Sequence, residues 1–256
     1  MTIDNLVLPI TTFRWTTLGR MVFLHLIPGA LFFTAILIIA PVAERLGLPP
    51  GMSSLIIAAL VVGIPFQLGF LYYQGYRLNS KLSLKGIVLY RHSMPWWQYV
   101  IAVIVLFAWL YFIWYIIRPP VNQFFIDNFF GWMPGYLSDA QVAESLKQDS
   151  KSALMVIGVL FSLAASLGGA IEELYFRGYV LPRMEFLGKW APAVNIVLFS
   201  IYHFWTPWEN IPRILAMAPL YYLVWWKRNV YLSFFVHLII NLISGMSLVF
   251  TILQLP

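Results

Sequence analysis

The sequence predicts an all-α fold, a polytopic transmembrane helical bundle, and three observations predict it. Of 256 residues, 61% are hydrophobic and 10% are charged, where a soluble domain carries about 25% charged residues. The mean hydropathy is +0.80. The apolar residues also gather in unbroken runs, long enough to cross ~30 Å of hydrocarbon. Backbone groups in lipid must be satisfied within their own segment, and continuous apolar runs mean helices rather than the alternating strands of a barrel.

The runs fall near 21–43, 53–76, 96–117, 152–176, 190–206, 211–226 and 230–253. They predict seven spans in a single integral membrane domain, 1–256, with an eighth if 121–133 is a re-entrant or split span. The first run, Met21 to Ala43, exceeds the roughly 7–15-residue core of a signal peptide and is expected to be a retained anchor. "RLGLPPGMSS" (45–54) and the basic "RLNSKLSLKGIVLYRHSMP" (77–95) are expected turns. The longer connection, 118–151, opens with "VNQFFIDNFFGWMPGY", which suits an interfacial or re-entrant segment. Ser138 with Gln141 then fits a capping box opening a short helix, with Val142 and Leu146 on its apolar face.

Basic residues set the orientation. With the N-terminus in the cytoplasm, the inner set is Arg14, Arg20, Arg77, Lys81, Lys85, Arg91, Arg177, Arg183, Lys189, Lys227 and Arg228. The outer set is Arg45, Arg118, Lys147, Lys151 and Arg213. That favours a cytoplasmic N-terminus. It also accounts for the net charge of +6 as a topology signal, with no nucleic-acid partner. The absence of cysteine removes disulfides, thiolate nucleophiles and Cys-ligated metals.

Against this background "IEELYFRG" (171–178) stands out, because it follows the apolar "ALMVIGVLFSLAASLGGA" (153–170). A charge at mid-membrane costs at least ~2.5–3.5 kcal/mol on insertion scales. Glu173 and Arg177 are spaced i,i+4, share a helical face and are expected to pair. Glu172, rotated about 100° away, is left without that partner. "FSIYH" (199–203) puts Phe199 and His203 on one face, and "HLIIN" (237–241) does the same for His237 and Asn241. His25, alone in the first run, is expected to be a satisfied packing residue. Measured at ~1.5 Å per residue from the last basic residue on the cytoplasmic side, Arg183, Lys189 and Arg228 in turn, Glu172, His203 and His237 lie ~17, ~21 and ~14 Å deep. Tilt accommodates that spread, so a buried polar cluster fits better than headgroup placement, provided the fourth helix runs to about Arg183.

A carboxylate, two imidazoles and an amide can activate water and stabilise an oxyanion. Other membrane-hydrolase designs lack their residues. No Gly-x-Ser-Gly nucleophile site is present, since "GMSL" (245–248) lacks its second glycine. Asp4, Asp127, Asp139 and Asp149 are expected outside the spans, which removes an aspartyl dyad. No His-Glu-x-x-His string occurs. Glu172, His203 and His237 could still ligate zinc as a two-His, one-carboxylate set, so a zinc-dependent membrane protease stays an alternative.

In order along the chain, "EELYFR", "FSIYH" and "HLIIN" match Glu-Glu-x-x-x-Arg, Phe-x-x-x-His and His-x-x-x-Asn. The stretch 152–250 thereby resembles the CPBP family of CAAX prenyl endopeptidases and bacteriocin-processing enzymes, which are intramembrane glutamic proteases. The resemblance implies Glu172 as the base that activates water and His203 as its positioner. It implies His237 and Asn241 as the oxyanion hole, and Glu173 with Arg177 as structural support, with Phe199 packing beside His203. No cofactor or metal is implied. The implied partner is a membrane-associated or lipidated peptide or protein, prenylated in the CAAX case, reached from the cytoplasmic side of a cell (inner) membrane. The family commonly has eight helices. A catalytically inactive scaffold or immunity protein of the same fold, and a proton-coupled transporter, are the competing readings; the latter needs polar residues across the whole membrane, and the first three runs offer mainly His25 and Gln67.

Overall fold

A computed structural model describes residues 15–138 and 151–254. The Gln141, Val142 and Leu146 helix lies outside the described residues. The seven apolar runs all become helices: α1 Trp15–Arg45, α2 Pro50–Asn79, α3 Trp96–Phe130, α4 Lys151–Glu172, α5 Ala191–Tyr202, α6 Asn210–Lys227 and α7 Val230–Leu253. No strand occurs among the described residues; a single bridge pairs Arg91 with Asn229. By length and composition five stretches can cross a membrane: Thr17–Arg45, Pro50–Asn79, Trp96–Phe130, Lys151–Tyr202 and Val230–Leu253. Large apolar side chains such as Ile38, Ile104, Leu163 and Met246 face outward, as a lipid-facing surface requires. The protein is a multi-pass integral membrane protein.

Three helices pass through prolines by one device. Proline lacks an N–H, and its ring crowds the carbonyl four residues back. The residue before each of these prolines bonds five residues back instead of four: Ile64 to Ala59, Arg118 to Ile113 and Leu181 to Phe176. The helix is thus widened into a π segment over Ala59–Gly63, Ile113–Ile117 and Glu173–Val180, which clears the carbonyls facing Pro65, Pro119 and Pro182. The third helix therefore does not end at 117. It runs through "RPPVNQFF" to Phe130, so 121–133 is mostly its continuation and Asp127 sits in its last turn, bonded to Gln123 at 2.8 Å.

The fourth helix continues through its π segment and a 3₁₀ segment, Leu181–Trp190, past Arg183 as expected. Gly188, inside that last segment, kinks it: its φ of 54° and ψ of −131° are non-helical and favour glycine. The basic stretch 77–95 is no simple turn, because Ile87, Val88 and Tyr90 are buried in the bundle. Gly178 is the residue whose carbonyl faces Pro182, four residues on. That carbonyl accepts from Leu89 N–H at 2.7 Å, which satisfies a group the proline would orphan.

One core joins buried residues of all these parts, including Ile36, Leu71, Leu106, Tyr175, Phe199, Tyr221 and Val236. Small residues bring helices close. A Cβ on Gly245 would meet Ser162 Oγ at 2.1 Å, and one on Gly29 of α1 would meet the Tyr202 carbonyl oxygen at 2.1 Å. That oxygen is backbone and cannot swing aside. Gly29→Ala is therefore expected to push α5 away from α1 and to destabilise the fold by about 1–3 kcal/mol, measured by thermal unfolding in detergent beside Gly69→Ala, where nothing lies within 4 Å.

Candidate active site

The pair read from spacing forms. Glu173 Oε2 and Arg177 Nε are 3.1 Å apart, and both side chains are fully buried. Glu173 Oε1 also accepts from His237 Nδ1 at 2.7 Å, which ties α4 to α7. The Arg177 guanidinium lies 4.1 Å from the ring centre of Phe199 and 3.9 Å from that of Tyr221. Its two Nη atoms have no hydrogen-bond partner among the described residues. Two aromatic faces and one carboxylate thus hold the cation. Phe199 packs beside His203 as well, with ring centres 4.7 Å apart.

Glu172 points elsewhere. Its side chain is only partly buried and lines a cavity of about 580 Å³. Oε1 accepts from the Tyr202 hydroxyl at 3.0 Å, and that hydroxyl accepts from Gln67 Nε2 at 3.2 Å. His203 is not inside a helix: α5 stops at Tyr202 and His203 caps it with φ −80° and ψ 61°. Its Nδ1 still donates to the Phe199 carbonyl at 2.9 Å, so the i,i+4 relation survives the end of the helix.

His237 and Asn241 share a face of α7, directed at Gly169 on α4. A Cβ there would lie 2.9 Å from His237 Nε2 and 2.7 Å from Asn241 Nδ2, so glycine lets these two groups converge directly against the α4 backbone. Asn241 Nδ2 also donates to the Ala165 carbonyl at 2.8 Å. Glu172, His203, His237 and Asn241 all line the cavity, together with Gln67, Gly169 and Tyr202, while Glu173 and Arg177 do not. Apolar residues of α2 and α3, among them Ile56, Ala59, Phe107 and Trp114, complete the wall. Beside His203, Glu209 bonds Arg118 at 2.9 Å and Arg213 at 2.7 Å, and Arg213 reaches the Ser200 carbonyl at 3.3 Å. This fastens the α5–α6 turn.

Among the described residues no three of His, Cys, Asp and Glu are grouped so as to hold a metal ion. His25 is buried with both ring nitrogens engaged, Nδ1 with the Met21 carbonyl at 2.6 Å and Nε2 with Asn195 Nδ2 at 2.9 Å, as a packing role requires. Sequence reasoning passed over Tyr202, Gly169 and the site role of Gln67. Tyr202 stood inside "FSIYH", and Gln67 was visible as a polar residue in a greasy run.

Residues 151–243 match a family model described as type II CAAX prenyl endopeptidase, Rce1-like. No curated protein and no solved structure matches the chain. The matched stretch begins with α4 and ends just past Asn241, and so contains all three motifs.

Burial divides the two glutamates, and stability should follow. Removing one partner of a buried pair leaves an uncompensated charge, so Arg177→Met is expected to cost about 3–5 kcal/mol. Glu172→Gln should stay within about 1 kcal/mol of the parent, because its amide oxygen can still accept from Tyr202. Chemical unfolding of both variants in the same detergent measures the contrast.

Proposed function

We propose, from an Rce1-like type II CAAX prenyl endopeptidase stretch at residues 151–243, that the chain is an intramembrane glutamic endopeptidase. It hydrolyses a peptide bond of a membrane-associated or lipidated substrate. The observation that carries this reading is the division between the adjacent carboxylates. Glu173 is sealed against Arg177 and His237, whereas Glu172 faces a cavity that His203, His237 and Asn241 also line.

In this reading Glu172 takes a proton from water held between it and His203, and the hydroxide oxygen bonds to the scissile carbonyl carbon. The resulting oxyanion accepts from Asn241 Nδ2 and His237 Nε2 above Gly169. An imidazolium with Nδ1–H on Glu173 has Nε2–H left to offer. As the C–N bond breaks, the proton on Glu172 passes to the leaving nitrogen. Glu173 and Arg177 orient His237 and touch no substrate. No metal takes part. The apolar wall from α2 and α3 suits a lipid-bearing or membrane-spanning peptide.

The cytoplasmic N-terminus, and access from the cytoplasmic side of a cell membrane, rest on the basic-residue count. Contacts within each set support the division of these residues between two sides. Arg91 and Arg228, both counted inside, flank the Arg91–Asn229 bridge, and Arg118 and Arg213, both counted outside, share Glu209.

The test is cleavage of prenylated CAAX peptides and membrane-spanning leader peptides by the full chain in nanodiscs. Loss of a general base is expected to lower kcat at least about 10²-fold in Glu172→Gln, with activity unchanged by chelator. Chelator-sensitive cleavage would move the reading to zinc, and full activity in Glu172→Gln would remove Glu172 from the mechanism. A panel left uncut by the parent chain would favour the inactive-scaffold reading. Gly169→Ala puts a methyl where His237 and Asn241 converge, and is expected to lower kcat by about 10²–10³-fold, the range for one lost oxyanion donor. Its unfolding midpoint should fall only modestly, because the displaced groups are side-chain ends, even though His237 is bonded to Glu173 and Asn241 to the Ala165 carbonyl.

A further inference from the structure

The hydrogen-bonded line from Gln67 through Tyr202 to Glu172 has no part in the chemistry derived so far. With Glu172 ionised, its direction follows from the donors present. An amide N–H donates to the phenol oxygen, leaving the phenol hydrogen for the carboxylate. Gln67 and Tyr202 are each 2% exposed, so neither hydroxyl nor amide exchanges partners freely with water.

The Tyr202 ring is fixed on several sides. Phe176 lies 5.1 Å away centre to centre, Trp205 5.4 Å and Phe199 5.9 Å. Its backbone is pressed against Gly29. A hydroxyl so held defines where Oε1 of Glu172 sits. Gln67 meets only the acceptor side of this buried phenol, and the hydrogen left over goes to a cavity-lining carboxylate, which couples Tyr202 to the site. Gln67 belongs to α2, far outside the matched stretch 151–243.

We propose that Tyr202 and Gln67 are positioning residues for Glu172: Tyr202 pins Oε1, so that Oε2 is the oxygen presented to water, and Gln67 orients the Tyr202 hydroxyl. The proposal rests on the reading of Glu172 as the base. It makes α2 a working part of the site, so the motif-bearing stretch is incomplete without the N-terminal half. Misplacing a base by about an ångström can cost on the order of 10²-fold in rate, a scale that a pinned carboxylate avoids.

Two measurements on the full chain in nanodiscs test it. In kinetics on whichever panel peptide the parent cleaves, Tyr202→Phe is expected to lower kcat roughly 10–100-fold while KM stays within about twofold. Gln67→Leu should lower kcat less. In the Tyr202→Phe background Gln67→Leu should add nothing, since it acts only through the hydroxyl. The second measurement needs no substrate. The infrared carboxyl band that disappears in Glu172→Gln belongs to Glu172, and Tyr202→Phe is expected to shift it. Tyr175→Phe is the control and should not, because the Tyr175 hydroxyl is bonded to the Leu24 carbonyl.

An unmoved Glu172 band, parental kcat in Tyr202→Phe, or additive losses in the double variant would overturn the proposal. If the parent cleaves no peptide, the endopeptidase reading fails separately and the infrared band decides alone. Should Tyr202→Phe not fold, the same band in Gln67→Leu carries the decision, where a smaller shift sustains the proposal and none overturns it.

Discussion

The bundle is organised around the ion pair of Glu173 and Arg177, buried where neither charge has access to water. In a medium of low dielectric such a pair is strongly coupled, and either ion alone would be costly. Every element that touches it is thereby held. Glu173 fixes His237 of α7, and Arg177 lies between Phe199 of α5 and Tyr221 of α6. Because Glu173 must face inward, helical geometry turns its neighbour Glu172 onto the cavity wall. The orientation of the cavity-lining carboxylate is thus a consequence of the buried one.

Proline supplies a second constraint, one that sets shape rather than charge. Pro182 follows the π segment that carries Glu173 and Arg177, and the carbonyl it leaves without a helical donor, on Gly178, draws in Leu89. Beside that bond Ile87, Val88 and Tyr90 of the stretch 77–95 are buried, while its basic residues Arg77, Lys81, Lys85 and Arg91 stay exposed. Arg183 adds to the attachment by reaching the Ile87 carbonyl at 3.3 Å. Backbone accounting in an apolar setting joins the N-terminal half to the motif-bearing half, just as Gln67 does nearer the cavity.

The site is therefore not confined to the stretch that carries its motifs. Four candidate residues come from the matched region, but the cavity they face is closed by α2 and α3. A polar contact from α2 reaches Tyr202. The two halves share one core, so the shape of the cavity and the placement of its polar groups are decided together.

The sequence by itself determined what depends on neighbours along the chain. The seven apolar runs all fall on helices, as backbone accounting in hydrocarbon requires, although five stretches rather than seven are long and apolar enough to cross a membrane. The spacings Glu173–Arg177, Phe199–His203 and His237–Asn241 brought their members together, since residues four apart on a helix meet wherever that helix lies. Only the tertiary structure decided contacts across long separations. Tyr202 to Glu172, Gln67 to Tyr202, Glu173 to His237, the close approach of His237 and Asn241 to Gly169 and the burial of Ile87 and Val88 all depend on how helices dock. The apolar run 96–117 stops short of the end of α3, because a widened turn carries the helix past Pro119 and Pro120 to Phe130. Docking is set by small residues and by backbone groups seeking partners, neither of which has a period that a single chain displays.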